Sequence, residues 1–192
     1  MSPAPPSLLD LRLTQIRYAA QGISIYTFES TDGSLLPAFE AGAHVDLHVG
    51  NGLIRQYSLC SDPADRLRYE LAVLHHPYGR GGSAAWRDLA RCGETYKVSA
   101  PRNLFPLAAD ATDTLLLAAG IGVTPIVAMV YELERRQAPY TLHYCAKSTA
   151  SMVFRPELEQ RVVHGKVELH FSEGPQTHRL NLAELLATQT PG

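Results

Sequence analysis

The stretch Asp113-Thr-Leu-Leu-Leu-Ala-Ala-Gly-Ile-Gly-Val-Thr-Pro125 is where the chain changes character. Asp113–Ala119 is a near-continuous apolar run, the signature of a strand buried on both faces. A Gly-rich turn follows and opens a helix, with Thr124 as candidate N-cap and Pro125 at the first helical position, where a missing N–H costs nothing. Ile126, Val127, Val130 and Leu133 give that helix an apolar stripe, and Arg135 and Arg136 suit its C-terminal end. Further on come a strand at Tyr140–Ala146, a helix near Arg155–Arg161 and a strand at Lys166–Phe171. A last helix near Leu182–Ala187 starts at Asn181, with Glu184 placed for a capping box. Strands alternating with helices predict βαβ units and a parallel sheet over residues 110–192.

Upstream of Asp113 the period is different. Ala43, Val45, Leu47 and Val49 alternate with His44, Asp46 and His48, and Leu67, Tyr69, Leu71 and Val73 alternate with Arg68 and Glu70. Shorter candidates are Leu8–Ile16, Ile23–Glu29, Ile54–Cys60 and Tyr96–Ala100, separated by turn clusters such as Thr31-Asp-Gly-Ser34 and Ser61-Asp-Pro63. Six short strands at such spacing predict an antiparallel β-barrel over residues 1–109, interrupted by one helix, Ala84–Arg91, with Ser83 as its N-cap. The fold class is therefore mixed, with the boundary in the loop around Ala108–Thr112.

Bulk properties exclude several function classes. A net charge of −2 with scattered Lys and Arg leaves no electrostatic footprint for nucleic acid. The longest apolar run, Leu115–Ala119, is far short of the roughly 20 residues a membrane span needs. The opening Met-Ser-Pro-Ala-Pro-Pro-Ser reads as a frayed tail rather than a signal peptide. Cys60, Cys92 and Cys145 form neither a disulfide framework nor a metal pattern, which points to a reduced cytoplasmic compartment. They also cannot supply the four thiolates of an iron–sulfur cluster on this chain.

Two motifs carry chemistry. In Gly79-Arg-Gly-Gly-Ser83, three glycines before a helix N-terminus allow close backbone approach, and the free N–H groups there suit an anion. The alternative is a tight turn that merely enters a helix. In Arg55-Gln-Tyr-Ser58, strand alternation puts Arg55 and Tyr57 on one face, with Gln56 and Ser58 on the other. Arg55 offers a fork of donors suited to phosphate, and Ser58 a small neutral donor. By themselves these four residues read first as an ordinary barrel strand whose Arg and Tyr cover its surface. His75 and His76, just before the glycine loop, read as solvent-facing loop histidines or as catalytic or metal candidates.

Taken together, Arg-x-Tyr-Ser and the Gly-Arg-Gly-Gly-Ser some twenty residues later resemble the phthalate dioxygenase reductase and vanillate demethylase reductase group of the ferredoxin–NADP reductase superfamily. Pro37-Ala-Phe-Glu-Ala-Gly-Ala-His44, Ala100-Pro-Arg-Asn103, Ala119-Gly-Ile-Gly-Val-Thr-Pro125 and Leu142-His-Tyr-Cys145 extend the resemblance from about residue 8 onward. It implies that Arg55 and the Gly81-Gly82-Ser83 turn hold a flavin phosphate. Tyr57 would lie against the isoalloxazine, with Ser58 and Leu59 beside it and Ser58 near N5. Members of the group use FMN, the wider superfamily more often FAD. No aromatic insertion here stacks an adenine, which favours FMN. Gly120, Gly122, Thr124 and Pro125 would lie beside the nicotinamide and its pyrophosphate, making Ser58 and Thr124 the catalytic candidates. Glu173 would hydrogen-bond an adenosine ribose and repel a 2′-phosphate, favouring NADH over NADPH. Equally, Glu173 reads as a solvated loop acid.

Relatives in that group continue into a fourth parallel strand ending in Cys-Gly-Pro and then a ferredoxin domain, neither of which is in this sequence. The resemblance therefore implies a reading truncated at the C-terminus, with Asp113–Ala119 left as an open edge. The implied activity is an NADH-dependent flavin oxidoreductase passing electrons to a Rieske-type oxygenase or ferredoxin partner. Alternatives are a stand-alone ferredoxin or flavin reductase, or a non-catalytic flavin-binding module.

Overall fold

The computed structural model describes residues 7–50, 52–75, 82–109, 113–175 and 177–187. Strands β1 Leu8–Ala20, β2 Ile23–Ser30, β3 His44–Gly50, β4 Leu53–Ser58, β5 Arg68–Leu74 and β6 Thr95–Ser99 come first, with helix α1 Gly82–Leu89 between β5 and β6. They form one antiparallel sheet in the order β4-β3-β6-β1-β2-β5. The period-2 pattern sets the register: Val45, Leu47 and Val49 of β3 share a buried core with Tyr69, Leu71 and Val73 of β5. Just past β4, the Cys60 N–H donates to the Glu70 carbonyl of β5, tying the two edge strands and curling the sheet into a barrel.

Leu67 departs from expectation. It is exposed and lies outside β5, because its N–H donates to the Asp65 carboxylate at 3.0 Å instead of joining the ladder. Helix α1 also starts earlier than predicted, at Gly82, so Ser83 sits in the first turn rather than at the N-cap. Its core contact is Trp86, fully buried with ring centroids 4.8 Å from Tyr96, 5.3 Å from Tyr26 and 6.0 Å from Phe28. Such aromatic pairs contribute about 0.5–1.5 kcal/mol each beyond area burial, so α1 is held as the plug of the barrel.

The second half comprises β7 Thr114–Ala119, α2 Val123–Arg136, β8 Tyr140–Ala146, α3 Arg155–Arg161, β9 Gly165–Phe171 and α4 Leu182–Ala187. The strands are parallel in the order β7-β8-β9. Helix α2 begins before the predicted cap, since a single 3₁₀ turn, Gly120–Gly122, winds directly into it. Thr124 is its second residue, and the hydroxyl donates to the Ile121 carbonyl at 3.1 Å instead of capping. Asn181 does cap α4: its side-chain oxygen accepts the Glu184 N–H at 3.2 Å.

The prediction that β7 is buried on both faces is corrected. Leu116 and Ala118 are buried toward α2, but Leu117 is 40% exposed and Ala119 is exposed as well. Among the described residues only one face of this sheet is sealed. That face shares its core with the barrel, since Val127, Val130 and Leu133 of α2 lie in one cluster with Cys60, Ala72 and Ile25. Residues Pro101–Phe105 lie against the junction, where Arg102 pairs with Asp46 at 2.6 Å and the Asn103 amide donates to the Ala41 carbonyl at 3.0 Å. No helix among the described residues is long and apolar enough to cross a membrane.

Candidate cofactor sites

In β4, Arg55 stands opposite Leu47 and Tyr57 opposite Val45, so both belong to the core-facing set of the β3–β4 pair. Helix α1 begins on that side. A Cβ placed on Gly82 would land on the Arg55 side chain, at Nε, Cζ and Cδ, so the guanidinium stem lies directly over the Gly82 backbone. Any larger residue there would push the Arg55 side chain out of this position. Two motifs separated in sequence are thereby brought to one point, a helix N-terminus with a guanidinium across it. Such a point concentrates positive potential and donors suited to a phosphate. The guanidinium is oriented in part by its own strand, Nη1 donating to the Ile54 carbonyl at 2.8 Å.

Tyr57 is half-buried against the barrel core, and burial raises its hydroxyl above the usual tyrosine range, with Arg55 acting the other way. Ser58 is on the opposite strand face, beside His44. Leu59 is wholly buried and its N–H is taken by the Ala43 carbonyl, so its side chain serves the core. Ser83 is half-buried, and its carbonyl faces His75 Nδ1 at 3.3 Å. Gly79, Arg80 and Gly81, together with His76, lie outside the described residues. His75 is half-buried: its Nε2 meets the Tyr26 hydroxyl at 3.3 Å, and burial lowers its pKa. A residue that the pattern did not single out is His44, buried with an Nε2 that has no partner among the described residues. Burial, then Arg102, lowers its pKa.

The second site lies at the C-terminal ends of β7, β8 and β9. A cavity of about 370 Å³ opens there, walled by Gly120, Cys145, Lys147, His170, Ser172 and Arg179 among others. Gly120 has φ +51°, a conformation that suits glycine and turns the chain from β7 into α2. Gly122 and Pro125 stand with it at the helix start, and Thr124 is buried behind them. Glu173 is exposed and does not line the cavity; its N–H donates to the Lys147 carbonyl at 2.8 Å. The cationic side chains Lys147 and Arg179 were missed in the sequence because single charges in loops carry no periodic signal. Among the described residues no group of three or more His, Cys, Asp or Glu is placed to hold a metal ion.

A barrel with an arginine laid over a helix start, joined through a shared core to a parallel sheet with a cavity at its carboxyl ends, matches a known architecture. Phthalate dioxygenase reductase superposes with a TM-score of 0.89 and 33% identity over 96% of this chain and 58% of that structure. The chain falls in the ferredoxin–NADP reductase superfamily. It is 48% identical over 188 residues to the reductase subunit of tert-butanol monooxygenase / tert-amyl alcohol desaturase from Aquincola tertiaricarbonis, covering 98% of this chain and 56% of that relative. It is 43% identical over 185 residues to a vanillate O-demethylase oxidoreductase from Pseudomonas sp. strain HR199, covering 96% of this chain and 58% of the relative. The superfamily member thus spans little more than half the length of these relatives. No protein-family model matches the chain.

Proposed function

We propose that this chain is the flavin- and nicotinamide-binding part of an electron-transfer reductase that serves a Rieske-type oxygenase or a ferredoxin. A bound flavin supplies a two-electron acceptor for nicotinamide hydride and a one-electron donor to an iron–sulfur centre. The observation that carries the reading is the Arg55 guanidinium laid over Gly82 at the start of α1. The donor set fits a flavin phosphate: Arg55, the Ser83 hydroxyl and the first N–H groups of α1, with Gly81 completing the turn by resemblance. Tyr57, half-buried on the same strand, offers a ring face to the isoalloxazine, and Ser58 a neutral hydroxyl for N5. Burial around Tyr57 keeps water from that side of the ring. FMN is favoured over FAD by the absence of an aromatic insertion for adenine.

For the nucleotide, Gly120, Gly122 and Pro125 shape the βα turn, and the Thr124 hydroxyl is fixed by its bond to Ile121 with its lone pairs left to accept. Lys147 and Arg179 face the cavity as counter-charges for phosphates. Glu173 follows the cavity-lining Ser172 in the chain, and its carboxylate would favour the ribose hydroxyls of NADH over a 2′-phosphate. The test is to load the purified chain with FMN and add NADH anaerobically. Rapid bleaching of the yellow protein supports the reductase. Yellow protein that ignores NADH shows a flavin-holding module only, and protein that takes up no FMN contradicts the flavin site.

A further inference from the structure

At the start of α1 a histidine bridges the barrel core to the helix backbone. His75 follows the last residue of β5, with Nδ1 3.3 Å from the Ser83 carbonyl and Nε2 3.3 Å from the Tyr26 hydroxyl. A carbonyl only accepts, so the proton of the neutral ring is on Nδ1. Nε2 is then bare, and the Tyr26 hydroxyl donates to it. Tyr26 keeps its proton for this: it is 2% exposed, and burial, then Tyr57, pushes its hydroxyl up to about 12. Burial, opposed by the Ser83 bond and joined by Arg87, lowers the His75 pKa, with Asp88 acting the other way, so the ring is neutral at pH 7.

The bond acts through one peptide plane. The Ser83 carbonyl and the Ala84 N–H belong to the same rigid trans unit and point in opposite directions. In the first turn of a helix such an N–H has no partner within the helix and faces out of its N-terminal end. Holding the Ser83 carbonyl therefore aims the Ala84 N–H. His75 and Ala84 lie close together, walling one cavity of about 430 Å³ with Ser24 and Arg87. Trp86 anchors the middle of α1 and the Arg55 side chain crosses it at Gly82, so His75 supplies a third hold, at Ser83.

We propose that His75 is a positioning residue for the flavin phosphate: its Nδ1–H, kept in that tautomer by Tyr26, fixes the Ser83 peptide so that the Ala84 N–H is aimed at the anion. This rests on the start of α1 being the flavin-phosphate site. The ring contacts offered by Tyr57 and Ser58 come from β4, a different element. His75 therefore bears on affinity for a phosphorylated flavin and not on affinity for the isoalloxazine alone. The nitrogen that matters is specified too. An asparagine amide takes the place of Nδ1 and a glutamine amide that of Nε2, so His75→Asn keeps the donor to Ser83 and His75→Gln does not.

The test compares FMN with riboflavin on the flavin-free full chain, riboflavin by displacement of FMN, in the wild type, His75→Ala, His75→Asn and His75→Gln. His75→Ala weakens FMN binding roughly three- to tenfold, the worth of one hydrogen bond, and leaves riboflavin within about twofold. His75→Asn restores FMN affinity and His75→Gln does not. Imidazole ¹⁵N spectra of the wild type find the His75 proton on Nδ1. An equal loss of both flavins in His75→Ala overturns the proposal, as does rescue by His75→Gln in place of His75→Asn, or a proton on Nε2. Should His75→Ala fail to fold, the contrast between His75→Asn and His75→Gln and the wild-type spectra decide. A wild type that binds riboflavin as tightly as FMN, or binds neither, overturns the phosphate reading of α1. An Nδ1 proton in that chain then leaves only the bond to Ser83 standing.

Discussion

The two ends of this molecule hold their candidate sites in different ways. The barrel site is over-determined: a strand, a helix start and a glycine converge, and Trp86 with three aromatic neighbours fixes the helix. The sheet site is built from loop residues around one cavity, and the sheet behind it presents Leu117 and the β7 edge uncovered among the described residues. A phosphate cradle needs donors fixed to within fractions of an ångström, and packed elements fix them. A dinucleotide cavity lined by loop residues tolerates less exact placement of its walls.

The strongest way to break this contrast is to loosen the barrel. Trp86→Ala removes the plug of α1 and should cost about 3–5 kcal/mol of stability in urea denaturation. A loss under about 1 kcal/mol would mean that α1 is not anchored as described. Next come Arg55→Ala and Gly82→Ala, each expected to weaken FMN binding by about 1.5–3 kcal/mol with little change in stability. Because both act through one guanidinium, the double variant should bind FMN no worse than either single one, and additive losses would separate the two residues.

Smaller effects sharpen the comparison. Ser58→Ala should retain FMN and slow its reduction by NADH roughly tenfold, a change of about 1.4 kcal/mol in the barrier. Unchanged reduction would remove Ser58 from the N5 position. His44, buried and with its pKa lowered, gives a pH signature to the barrel. Its contribution is complete above about pH 6.5 and is lost as pH falls toward the lowered value. Stability should therefore drop on acidification below about pH 6.5, with a slope of at most about 1.4 kcal/mol for each pH step of one. His44→Gln should flatten that drop, and an unaltered slope would assign it elsewhere. The smallest change is Glu173→Ala, an exposed carboxylate whose removal should shift the NADH-to-NADPH binding ratio by less than about 1 kcal/mol toward NADPH. No shift at all would mean that Glu173 is solvated only.

Much of this was legible in the residues. The alternation through Val45, Leu47 and Val49 and the β–α order after Asp113 determine both sheets, because side-chain period is a direct image of which face is buried. Helix starts were less legible: at Gly82 a glycine opens the helix itself, and at Val123 the 3₁₀ turn that carries Gly120 and Gly122 winds directly into the helix. Leu117 misled because an apolar run states what a strand can bury, not whether anything covers it. At the barrel site, Arg55, Gly82 and Ser83 could be named, but not that the first lies on the second. The burial of His44 and the place of Lys147 beside the cavity were not legible, since both depend on elements adjacent only in space.

The most direct test of the central claim uses the single tryptophan, Trp86, which stands one helical turn from Gly82. FMN is titrated into the purified, flavin-free chain while Trp86 fluorescence is followed. A flavin phosphate held between Arg55 and Gly82 gives saturable quenching at one equivalent of FMN, with the affinity weakened roughly 10- to 150-fold in Arg55→Ala. Quenching that does not saturate, or that is the same in the wild type and Arg55→Ala, would contradict a flavin phosphate held between Arg55 and Gly82.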